Sequence, residues 1–217
     1  MRFDSIKKFL PRTVLLLTNE LLWSLGLTLI LQSFSIRGLD VVAAFNIANT
    51  INNVFITIGT ALGIATGIII GNLLGANKIE EAKKASFVIL AFSVVVALFF
   101  VGIMILCSFF VPNVYKVSDA IKELSRDLII VAAVSLPFQA FNCCCYFSLR
   151  AGGKVLLTMF FDCFYIWLVR LPVAFILCKY TSMGVVLAYA LCWATEALKS
   201  IFGYYLVNKG VWLKTIV

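Results

Sequence analysis

Glu20 is the residue with the clearest capacity for chemistry. It stands inside an apolar run, preceded by Asn19 and followed by Ser24, Thr28 and Gln32 at four-residue steps. A carboxylate within hydrocarbon is costly, and such a group marks a functional site by default. It can bind and release a proton or a sodium ion, so Glu20 is read as an ion-coupling residue with a Na+ position near it. The competing reading is a carboxylic acid that hydrogen-bonds a neighbouring helix.

A second pattern is Asn46, Asn49, Thr50 and Asn53. Their spacing of i, i+3, i+4 and i+7 places them on one helix face. Amides turned to lipid would lack partners, so this face meets protein or water. It is read as lining a solute cavity, together with Gln139 and Asn142 further along the chain. Interhelical hydrogen bonding is the plainer alternative. Below the amides, Gly59, Gly63, Gly67 and Gly71 recur every fourth residue, continuing to Gly75. That repeat predicts a groove for close helix packing. The remaining charges read as structural. Glu196 and Lys199 are expected to pair locally at i, i+3, Asp162 with a neighbouring helix, and Arg170 is expected to snorkel outward.

Other chemistries find no footing. The chain has no histidine, and its seven cysteines, including the run Cys143, Cys144 and Cys145, have no CxxC spacing. They are read as small packing residues, with no metal, cofactor or catalytic residue implied and no enzyme expected.

Elements that could position these residues follow from composition. Of the 217 residues, 63% are hydrophobic and only 13% charged, which excludes a soluble domain. Spans are predicted at about 13–36, 41–74, 85–111, 128–149, 155–177 and 185–207, giving an all-α bundle of six transmembrane helices. Residues 1–12 are read as a cytoplasmic N-terminal segment and 208–217 as a cytoplasmic tail. With both termini inside, eleven lysines and arginines fall in cytoplasmic segments and five opposite, as the positive-inside rule requires. The net charge of +8 is therefore topogenic, and no nucleic-acid partner is expected.

Several runs carry a resemblance. Asn19-Glu20-Leu21-Leu22-Trp23-Ser24-Leu25-Gly26, Asn46 through Thr50, Gly71-Asn72-Leu73-Leu74-Gly75-Ala76, Pro137-Phe138 through Asn142, Leu149-Arg150-Ala151-Gly152-Gly153 and Lys209 through Leu213 resemble, in order, the second lobe of bacterial multidrug and toxic compound extrusion (MATE) transporters. The resemblance covers about residues 10–213. It implies one six-helix lobe of a twelve-helix fold, with residues 1–12 the remnant of an inter-lobe linker. It also implies a plasma-membrane antiporter that exports drugs or other cationic or amphipathic organic solutes by alternating access, against Na+ or H+. Glu20 matches a coupling carboxylate of part of the family. Those members pair it with a second carboxylate on the fourth helix, which here carries only Ser135, Gln139, Asn142 and Ser148 as polar residues. The second lobe would be a separate chain or another copy of this one. A lipid-linked oligosaccharide flippase-type lobe and an inactive truncated remnant are the alternatives.

Overall fold

The computed structural model describes residues 3–213, with side chains from residue 13 onward. Residues 1–2 and 214–217, assigned above to the cytoplasmic segment and tail, lie outside the described residues. The elements are α1 (Phe3–Ser35), α2 (Leu39–Gly75), α3 (Ile79–Val114), α4 (Asp119–Ala151), α5 (Val155–Met159), α6 (Leu171–Tyr180) and α7 (Val185–Asn208). Two π-helical turns, Phe160–Phe164 and Ile166–Arg170, join α5 to α6. Together these form a continuous fifth span, Val155–Tyr180. Six helices are long and apolar enough to cross a membrane, and there is no strand among the described residues.

The helices outrun the expected spans. α2 has 37 residues, about 55 Å at 1.5 Å per residue, against a hydrocarbon core of about 30 Å. The charged stretch Asp119 to Asp127, outside the expected spans, is the first part of α4. α3 runs through Pro112 and ends two residues beyond it, with the proline removing one backbone donor to the preceding turn. The corners are tight. Asn77 (φ 59°) and Gly153 (φ 71°) take left-handed backbone at the α2–α3 and α4–α5 turns, a region glycine enters freely and asparagine with little strain.

α4 is the central rod. It packs against α2, α3 and α7, and 61% of its most apolar window is buried, against 22% for α3. The α2–α4 seam follows the glycine repeat. A Cβ at Gly59 would lie 3.3 Å from the Ala140 backbone, and one at Gly63 only 2.6 Å from the Phe147 ring and 2.7 Å from Cys143 Sγ. At Gly67 it would stand 3.3 Å from Phe147, whereas at Gly71 and Gly75 it would meet nothing within 4 Å. The close approach therefore runs from Gly59 to Gly67. α3 turns Val88, Phe92, Val95, Phe99, Leu106 and Phe110 outward, the apolar belt that lipid solvates.

α1 leans on the fifth span instead. Trp167 Nε1 donates to the Leu22 carbonyl at 3.0 Å, and Gly26 leaves room for Ile166, whose Cγ2 would sit 2.5 Å from an added Cβ. Beyond α7 the chain does not trail away. Trp212 is fully buried, donates to the Val207 carbonyl at 3.1 Å and rests directly on Gly152.

Candidate solute cavity

A cavity of about 560 Å³ opens between α1, α2, α4, the fifth span and α7, within the range of ligand pockets. The α1–fifth-span pair stands apart from the α2–α3–α4 body, and the gap between them is this space. Glu20 lies at its edge, with 58% of its side chain exposed.

Of the residues singled out from the sequence, Glu20, Asn49, Asn53, Gln139 and Asn142 line the cavity. Asn46 and Thr50 are exposed on the same side of the lobe but outside its wall, and the Thr50 hydroxyl donates to the Asn46 carbonyl at 2.8 Å. Their neighbour Asn52 is buried and lines the wall. The spacing 49, 52, 53, 56 describes the wall better than the stripe beginning at Asn46, and a shift of register would have found it. Gly59 touches the cavity as well as the α4 seam. Trp23, Phe45, Tyr146, Phe147, Tyr189 and Trp193 supply aromatic surface.

Charge organises the interior in a way that spacing along one helix did not reveal. Lys199 Nζ pairs with Asp162 Oδ1 at 2.7 Å, and Arg170 Nη1 with Glu196 Oε1 at 3.1 Å. Both pairs join the fifth span to α7, so Glu196 and Lys199 do not pair with each other as expected. Asn142 Nδ2 donates to Glu196 Oε2 at 2.8 Å, tying the upper pair to α4. Arg170 does not snorkel; it is 8% exposed and lies over the Trp193 ring at 4.0 Å. It is ten residues from the end of α6, about 15 Å along the axis, beyond the reach of one side chain. The two charged positions of the fifth span lie one in each π turn, and both line the cavity.

Glu20 meets a base, not a second acid. Arg150 Nη1 is 3.9 Å from Glu20 Oε1 and donates to Tyr146 Oη at 3.4 Å. One residue beyond the expected fourth span, Arg150 belongs to the last turn of α4 and lines the cavity. Next to Glu20, Asn19 is buried and donates to Tyr146 Oη at 3.3 Å while accepting from Cys163 Sγ at 3.1 Å. Among the described residues, no three histidines, cysteines or acids converge as metal ligands.

This arrangement of six spanning helices, five of which wall a cavity, is half of a helical membrane transporter fold. It superposes with a TM-score of 0.80 on a structure described as the outward-facing conformation of a multidrug resistance MATE family transporter of the MOP superfamily. The match covers 97% of this chain and 48% of that one at 17% identity. A MOP superfamily transporter from Pyrococcus furiosus gives 0.82 over 91% of this chain and 44% of that one, at 18% identity. The MatE family profile matches residues 15–176, and the chain belongs to the MatE family. It is 25% identical over 199 residues to the probable multidrug resistance protein YoeA of Bacillus subtilis, covering 90% of this chain and 42% of that protein. The human multidrug and toxin extrusion protein 1 is 29% identical over 122 residues, 56% of this chain and 21% of that protein. The chain thus spans less than half the length of these relatives.

Proposed function

We propose that this chain is one lobe of an ion-coupled exporter of organic solutes, working by alternating access against a second lobe. A separate chain or a second copy would supply that lobe. The carrying observation is the cavity itself: transport-sized, aromatic-lined, open at one side and edged by a carboxylate that keeps a partly loose partner. Family membership supports the transport reading, and the printed names of the relatives, multidrug resistance and toxin extrusion, support organic solutes. Asn46, Thr50, Asn53, Ser24, Thr28 and Gln32 are exposed, a surface too polar for lipid and suited to facing another lobe across a wet cleft. Glu20 is the coupling residue in this reading, alternately holding Na+ or H+ and Arg150. Both termini lie in the cytoplasm by the eleven-to-five distribution of basic residues, and the family resemblance supports the plasma membrane as the site. A flippase-type lobe would need unmatched positive charge for a pyrophosphate, whereas each base on this wall has an acid partner.

Glu20→Gln tests the assignment. An ionised side chain at mid-membrane costs about 2.5–3.5 kcal/mol on insertion scales, and the amide avoids the charged part of that cost. Insertion should therefore be preserved. Gradient-driven efflux, measured in vesicles with the partner lobe present, should be abolished, because glutamine never acquires the charge that a cation exchanges for. Efflux at the wild-type rate would reduce Glu20 to a structural role.

A further inference from the structure

We propose that the cavity selects a solute that is zwitterionic: one positive and one negative group on an aromatic body, with no net charge. This deepens the exporter reading and rests on it, since it concerns what that cavity holds.

The wall carries Glu20, Asp162 and Glu196 against Arg150, Arg170 and Lys199, and every acid is paired with one of the bases. A singly charged solute gains nothing net from such a wall. To bind closely at either buried pair, Arg170–Glu196 or Lys199–Asp162, it must draw one member out and leave the other uncompensated in a low-dielectric site, the unfavourable outcome for buried pairs; Glu20–Arg150, the exposed pair, stays with the coupling cation. A solute with both charges can engage both members of a pair at once, and no charge is stranded. The preference is thus a consequence of pairing, and it holds against cations and anions alike.

A second observation locates the subsite. Arg170, Gln139 and Asn142 all line the cavity and are each nine-tenths or more buried. Each keeps one polar atom with no partner: Arg170 Nε, Gln139 Oε1 and Asn142 Oδ1. One is a cationic donor and two are amide acceptors. All three atoms are shielded from solvent as well. A carboxylate or phosphate suits the free edge of Arg170, whose other edge Glu196 holds at 3.1 Å. An ammonium suits the amide oxygens. Trp193, stacked on Arg170, offers a face for the aromatic body.

Three probes with one ring system separate the charge states: tryptophan, tryptamine and indole-3-propionate, titrated calorimetrically into the purified chain in nanodiscs. The proposal expects tryptophan to bind at least tenfold tighter than either singly charged analogue. Arg170→Gln frees Glu196 and should turn the preference to tryptamine; Glu196→Gln frees Arg170 and should turn it to indole-3-propionate. Either single variant leaves a buried charge unpaired. Should they fail to fold, the double variant R170Q/E196Q strands none and should bind tryptophan no better than tryptamine. Tryptamine binding tightest to the wild type would overturn the proposal and leave the exporter reading intact. Tryptophan preference unchanged in these variants would also overturn it. No binding of any probe would overturn this proposal alone, since gradient-driven efflux with the partner lobe present decides the exporter reading separately.

Discussion

The α2–α4 contact is built from glycine, and the contact between the fifth span and α7 is built from charge. Between lipid-solvated helices there is no hydrophobic force to drive association, so packing or polar complementarity must supply it. Gly59, Gly63 and Gly67 supply the first by letting Ala140, Cys143 and Phe147 press onto the α2 surface. Asp162–Lys199 and Arg170–Glu196 supply the second. The two seams differ in what they leave on the cavity wall. The glycine seam is closed by packed side chains, whereas all four residues of the charged seam line the cavity.

That contrast can be broken from either side. The largest effect belongs to the charged seam. Glu196→Leu leaves Arg170 buried without its counter-ion, a loss expected at about 3–5 kcal/mol from comparable buried pairs. Replacing both, in R170M/E196L, should recover most of it. Denaturant titration in detergent reads both variants; equal stability of Glu196→Leu and wild type would show that the pair does not hold this seam. The glycine seam should respond less and by position. Gly63→Leu overpacks against Phe147 and Cys143, at about 1–3 kcal/mol. Gly71→Ala, with nothing within 4 Å of the new carbon, should instead gain about 0.5–1 kcal/mol from helix propensity. A loss at Gly71 comparable to that at Gly63 would mean that the repeat packs along its full length.

These differences also mark what sequence patterning could carry. Six spans and an all-helical fold are legible because hydropathy and length suffice for them. The glycine seam is legible in kind, since every fourth residue falls on one stripe, although nothing in α2 alone says that contact ends at Gly67. Glu20 and the amides stand out because polar groups in apolar runs are rare. The cross-helix pairs were not legible. Spacing within α7 couples Glu196 to Lys199, and only the approach of the fifth span gives each a nearer partner. The π turns at Phe160–Phe164 and Ile166–Arg170 carry no composition signal, so the course of the fifth span through Asp162 and Arg170 could not be read. Arg150 was hidden by its place beside a turn, where a basic residue reads as topology.

The docking of Trp212 on Gly152 bears on how sequences of this kind should be compared. Within the same turn, Arg150 faces the cavity while Gly152 is held small by the backbone of Trp212, from beyond α7. The run Leu149-Arg150-Ala151-Gly152 therefore records two unrelated constraints, one electrostatic and one steric. A side chain at position 152 would collide with the main chain at 212 whatever residue stood there, while the arginine at 150 answers to the carboxylate at position 20.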